Sequence, residues 1–150
     1  MRSGKLLAYD TDLVTFPVTK TRASIHRDQA TGAVQVTLPG DVLFAIDSAE
    51  LSPDATTALG DALNAIRQAR AASIVVDGHT DNTGDDDRNQ ALSLERAQTV
   101  ANWLVAHGVP QPLVSAHGWG SSRPIASNDD PAGRQRNRRA EITIVAHSRA

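Results

Sequence analysis

The sequence predicts an α/β sandwich, an α+β arrangement in which helices pack on a sheet. Three observations point there. Val34, Val36 and Leu38 alternate with Gln35 and Thr37, the period of a half-buried strand. Ala55, Ala58, Leu59, Ala62, Leu63 and Ile66 recur on one face of a helix. Ile74-Val75-Val76, an unbroken β-branched run, then reads as a strand buried on both faces. The chain has 150 residues, 40% of them hydrophobic. That is the size of one domain, able to bury roughly two thirds of its unfolded surface.

Residues 1–19 carry no clear period and read as a loose arm, with a short strand around Leu13–Val18. Residues 21–27 and 33–38 read as two strands joined through Asp28-Gln29-Ala30-Thr31-Gly32, a connection of hairpin length. Residues 1–32 are therefore taken as an N-terminal extension with a hairpin strand, and residues 33–150 as the domain proper. A short apolar segment follows at Val42-Leu43-Phe44. Ser52-Pro53-Asp54 then signals a helix start, with a hydroxyl to cap and Pro at the first position. The spacing predicts a second helix over about 88–107, with a stripe of Leu94, Ala97, Ala101, Leu104 and Val105 and a stop at Gly108. Leu113–Ala116 and Ile142–Val145 read as further strands. Residues 120–138 form a polar connection with a helical turn after Pro131. The element order is thus β-β-(β)-α-β-α-β-β.

Composition narrows the function classes. Net charge is −2 and aromatics are 3%. A chain so balanced has neither a global pull toward phosphate polymers nor rings on which to stack bases, so no nucleic-acid partner is expected. Cysteine is absent, which excludes disulfides, thiolate zinc sites and a lipidated cysteine. No apolar run approaches the ~20 residues of a membrane span. Leu6-Leu7-Ala8-Tyr9 follows Arg2 and Lys5 but ends at Asp10 and Asp12, too short for a signal-peptide core. Either the protein stays inside the cell, or this is a domain excised from a larger exported chain; the second is preferred.

The chemistry concentrates in two stretches. Gly78-His79-Thr80-Asp81-Asn82-Thr83-Gly84 places a carboxylate in a loop after the apolar strand, at the sheet edge where open α/β folds bind ligands. Arg96 follows Asp81 by fifteen residues. One anion and one cation held apart by a strand, a loop and a helix form a receptor for a zwitterion. Asp81 could equally cap its own turn. Asn89 and Arg96, seven residues apart, share a helical face, expected to be distinct from the stripe that meets the sheet. Arg134, Arg136, Arg138 and Arg139 precede the last strand. One of them is expected to fold in and anchor the Asp81 loop or touch the ligand, while the others stay at the rim. His79 alternates out of its strand and His107 ends a helix, so neither demands a metal. Asp85-Asp86-Asp87 lacks the Gly and Glu of a calcium loop. No phosphate loop or nucleophile elbow is present, and no cofactor is expected.

Together these stretches resemble the OmpA-like peptidoglycan-binding domain of peptidoglycan-associated lipoproteins and flagellar stator proteins. The resemblance covers about residues 38–146 and adds Gly118-x-Gly120, Pro124-Ile125-Ala126-x-Asn128 and Gly133-Arg134-x-x-Asn137-Arg138-Arg139 to the motifs above. It departs from the family at Ile46, where an aromatic is common, and at Ala140, where Val is usual. The resemblance implies a mixed sheet in βαβαβ-β order with two main helices on one face. It also implies a non-enzymatic, extracytoplasmic module of the periplasm or cell envelope that grips peptidoglycan through the diaminopimelate of the stem peptide. In such domains the acid at Asp81 is similar to the one meeting the diaminopimelate ammonium, and Arg96 to the one pairing with its carboxylate. Thr80, Asn89, Arg138 and, in the loop after Phe44, Asp47 match positions lining the same pocket. Two other readings stay open: an envelope hydrolase with Asp81 as base, and an interaction module whose residues 1–32 dock a partner or a second copy as a homodimer.

Overall fold

A computed structural model of the chain describes residues 23–146. The arm over 1–19 and the strand expected at Leu13–Val18 lie outside the described residues. The strands are β1 (Ser24–Arg27), β2 (Val34–Pro39), β3 (Ala71–His79), β4 (Val114–Gly118) and β5 (Arg139–Ala146). They form one sheet in the order β1-β2-β5-β3-β4. β5 lies antiparallel between β2 and β3, and only β3 and β4 are parallel. The helices are α1 (Gly40–Leu43), α2 (Ala55–Ala69), α3 (Asp86–Ala106) and α4 (Pro131–Asn137). α3 carries the crossover that parallel β3 and β4 require. The mixed sheet with two long helices is the α/β arrangement expected.

The core lies between one sheet face and α2 with α3. Val34, Val36, Leu38, Ile74, Val76, Ile142 and Ile144 from the strands join Leu59, Leu63, Ile66, Ala97, Val100 and Leu104 from the helices. All six apolar positions expected on α2 are buried. Its start differs from expectation. The Ser52 hydroxyl donates to the Val42 carbonyl instead of capping, and Asp54 stands at the N-cap without a side-chain bond. Ser52 thereby pins the loop that α1 enters. Val75 also departs from the expected strand buried on both faces: it is half-buried with Ser73 and Asp77, because the second sheet face carries no helix layer.

α3 shows the largest difference. Its buried residues are Asn89, Ser93, Arg96, Ala97, Val100, Ala101 and Leu104, while Leu94 is 45% exposed. Asn89 and Arg96 therefore share the inward face rather than a separate one. The reason lies in two glycines paired across the sheet, Gly78 and Gly118. A Cβ at Gly78 would stand 2.1 Å from the Ser93 carbonyl oxygen, and one at Gly118 2.5 Å from the Leu94 nitrogen. The helix backbone rests directly on the sheet here. Only a small side chain fits beneath it, so Ser93 goes in and Leu94 is turned out. The Ser93 hydroxyl donates to the Gln90 carbonyl at 2.9 Å and accepts from Gly120 N–H at 2.9 Å. This ties α3 to the loop after β4. Asp85 caps the helix by accepting from Asp87 N–H, and the acidic first turn favours its positive end.

Candidate functional site

β3 ends at His79 and releases Thr80 and Asp81 at the sheet edge next to β5. Thr80 N–H donates to the Gly120 carbonyl at 2.8 Å, holding the turn against the loop after β4. Asp81 is buried, and its two oxygens have separate tasks. Oδ1 accepts from Thr83 N–H at 2.8 Å, and Oδ2 accepts from Arg138 Nη1 at 2.6 Å. Asp81 thus caps its own turn and also carries a charge paired with Arg138. Burial pushes its carboxyl up, but the Thr83 and Arg138 hydrogen bonds outweigh that and hold it below the ordinary carboxylate range. Asn89, from the first turn of α3, donates to the Thr83 carbonyl at 3.0 Å and to the Asp81 carbonyl at 3.4 Å. It fixes the loop's curvature.

Arg138 directly precedes β5 and bridges two acids. Its Nε and Nη2 take the two oxygens of Asp41 at 3.0 Å each, a fork-to-fork pair, while Nη1 reaches Asp81. The Asp41 contact first, and then Asp81, raise its already high pKa further. Arg138 is the one arginine of the run expected to fold in. Arg139, expected at the rim, is instead 5% exposed. It donates to Glu141 at 2.6 Å, to the Asn137 carbonyl at 3.1 Å and to the Arg123 carbonyl at 2.9 Å. Strand alternation explains the split: a residue at the mouth of β5 faces the cavity edge, and its neighbour faces the outer side of the sheet.

Arg96 enters from two turns further along α3. Its Nε donates to the Ser48 carbonyl at 2.8 Å, Nη2 lies 3.4 Å from the Ala45 carbonyl, and the guanidinium sits 4.9 Å from the Phe44 ring centre. Burial lowers its pKa, which Asp41 and Asp47 nearby oppose. It makes no ion pair among the described residues. Asp47 sits in the same loop at φ 54°, a left-handed position that Asp tolerates better than most residues, and lies 3.7 Å from Arg88.

These side chains line one cavity of about 550 Å³. All six residues singled out from the sequence, Asp47, Thr80, Asp81, Asn89, Arg96 and Arg138, contribute to its wall. Asp41, Phe44, Thr83, Leu92 and Arg134 do so as well, though the sequence did not single them out as pocket residues. Asp41 carried a signal that could have been used: it is an acid three residues before Phe44, on the same short helical turn. The wall holds Asp41, Asp47 and Asp81 against Arg96, Arg134 and Arg138, three charges of each sign. It suits a ligand that itself carries both.

His79 is buried rather than turned out to solvent, at 3% exposure. Its Nε2 is 3.7 Å from Glu141, longer than a hydrogen bond, and neither ring nitrogen has a hydrogen-bond partner among the described residues. The neighbouring His79 and the Arg139 guanidinium bonded at 2.6 Å hold the Glu141 carboxyl down to about 2. The stability Glu141 contributes is therefore complete above its ordinary value of 4.5 and is lost as pH falls toward about 2. Thermal melts across that window should show a fall in Tm that the Glu141→Gln variant flattens; an equally steep fall would remove Glu141 from the acid response. Among the described residues, no cluster of His and acids could hold a metal ion, and no helix is long and apolar enough to cross a membrane.

The sequence pattern of the OmpA family matches residues 43–138, which span Asp47, the Asp81 loop, α3 and Arg138. The chain belongs to the OmpA family. This OmpA-like domain is 38% identical over 112 residues to the peptidoglycan-binding protein ArfA of Mycobacterium tuberculosis, covering 75% of the chain and 34% of ArfA. It is 36% identical over 107 residues to the probable lipoprotein YiaD of Escherichia coli, covering 71% of the chain and 49% of that protein. The chain thus spans about a third of ArfA and about half of YiaD. Among solved structures, the cell wall anchor of the T6SS from Pseudomonas aeruginosa superposes with a TM-score of 0.75 at 34% identity, covering 84% of this chain and 89% of that one. The periplasmic domain of Helicobacter pylori MotB superposes with a TM-score of 0.70 at 25% identity, covering 84% and 83%.

Proposed function

We propose that this OmpA-like domain binds peptidoglycan without catalysis, through the diaminopimelate of the stem peptide, and so anchors an envelope protein to the cell wall from the extracytoplasmic side. ArfA is named a peptidoglycan-binding protein and the T6SS neighbour a cell wall anchor, which supports the wall as partner. The finer reading rests on one observation: Arg96 is a buried guanidinium without a carboxylate partner among the described residues, lining the same cavity as the ionised Asp81. A buried cation lacking a counter-ion is costly, and a ligand carboxylate supplies one.

Diaminopimelate carries an ammonium and a carboxylate on its distal carbon. Arg96 offers the planar fork that a carboxylate matches, and Asp81 accepts the ammonium. Asn89 and Thr80 hold the Asp81 loop in place, while Asp47 and Arg138 extend the charged wall. A charge-assisted hydrogen bond contributes about 1.5–3 kcal/mol, so two opposed contacts give modest affinity at one site. The wall repeats its ligand, and a tethered domain rebinds, which is sufficient for anchoring.

Calorimetric titration with stem peptides tests this. A peptide ending in free diaminopimelate should bind. Amidated and lysine-type stems should bind roughly tenfold or more weakly, because each leaves Arg96 without its carboxylate. Equal affinity for all three would overturn the role given to Arg96.

A further inference from the structure

Resting on the peptidoglycan reading above, we propose that Asp41 is a specificity-determining residue, which keeps one net negative charge at the Asp81 end of the cavity and so selects a ligand ammonium there. Asp41 and Asp81 share a single guanidinium, that of Arg138. Two carboxylates on one cation leave one uncompensated negative charge. Without Asp41, Arg138 would neutralise Asp81 outright, and a positive ligand group would gain little by approaching.

The geometry is built to hold this sharing. Gly40 N–H donates to the Arg138 carbonyl at 2.8 Å. A Cβ on Gly40 would stand 2.9 Å from that same oxygen, so the backbones of α1 and of the β5 entry are in direct contact. Asp41 is consequently fixed beside Arg138 on a neighbouring element. Its carboxylate takes both Nε and Nη2, leaving Nη1 aimed at Asp81. The remaining charges around the cavity are Arg96, Arg134 and Asp47. Arg134 is engaged with the Asn128 carbonyl and Asp47 lies beside Arg88, so neither bonds this triad among the described residues. The Asp41–Arg138–Asp81 triad thus carries one net negative charge, while Arg96 in the same wall has no ion-pair partner among the described residues.

The test uses the whole chain, with Asp41→Asn to remove the charge while keeping an acceptor for Arg138, and Asp41→Glu to restore the charge. Two stem peptides are titrated, one with the distal amine free and one with it N-acetylated, and the Asp81 carboxyl is followed by NMR against pH. The native protein should prefer the free amine, and Asp41→Asn should shrink that preference by about tenfold, with Asp41→Glu recovering part of it. Asp81 should titrate lower in Asp41→Asn than in the native protein, because it no longer shares Arg138. An undiminished preference in Asp41→Asn, or an Asp81 titration that stays put or rises, overturns the proposal. If the native protein binds neither peptide, the diaminopimelate reading fails, and the Asp81 titration still decides whether Asp41 sets the charge there.

Discussion

Asp81→Asn should release the domain from purified sacculi while leaving it folded. The amide keeps the shape of the carboxylate and one acceptor oxygen, so the Thr83 N–H bond can survive, while Arg138 gives up its Asp81 contact and keeps its fork on Asp41. What disappears is the negative charge proposed to meet the ligand ammonium. The lost contact is worth about 1.5–3 kcal/mol, a fall in affinity of roughly tenfold to over a hundredfold. Pull-down followed by a thermal melt reads both quantities; undiminished retention would remove Asp81 from the ligand contact. Arg96 behaves differently. Its donors also hold the carbonyls of Ala45 and Ser48. Arg96→Ala is therefore expected to lose wall binding and to lower Tm as well, rather than leave the melt unchanged as its helical spacing alone would imply.

Gly78→Ala should be strongly destabilising for the addition of a single methyl. The added carbon would stand 2.1 Å from the Ser93 carbonyl oxygen, a backbone atom that cannot turn aside. α3 would have to lift from the sheet, breaking the Ser93 bond to Gly120 N–H. Overpacking of this kind costs about 3 kcal/mol, a Tm drop of roughly 10 °C for a domain of this size. Because α3 carries Asn89 and Arg96, any folded remainder should also bind sacculi more weakly. A native melt for Gly78→Ala would show that the helix has slack at this crossing. A glycine interior to a strand thus acts here as a spacer that sets the height of the binding helix above the Asp81 loop.

Much of this was legible in the sequence, and the remainder fails for physical reasons. α2 was readable because its inward face is uniformly apolar and meets apolar strands. The inward face of α3 changes character along its length: Ala97, Val100, Ala101 and Leu104 meet the core, while Asn89, Ser93 and Arg96 meet loops and glycines. A hydrophobic period cannot report a face that is polar because it binds backbone carbonyls, so Leu94 was wrongly placed inward. The cavity residues were readable from ordered motifs, and the structure brings all of them to one wall. Asp41 was not, since its partner Arg138 lies ninety-seven residues away and is brought near only by the pairing of β2 with β5. The burial of Arg139 and of His79 likewise depends on which sheet face the loop around Arg123 reaches.

The place of β5 between β2 and β3 has a mechanical consequence. Arg138 grips the cavity at one end of this strand, and the strand runs away from it to Ala146, antiparallel to both neighbours. On the proposed reading, tension between a wall fragment held in the cavity and that far end is directed along β5. The ladders on both flanks then resist together as shear, instead of opening one rung at a time like a zip.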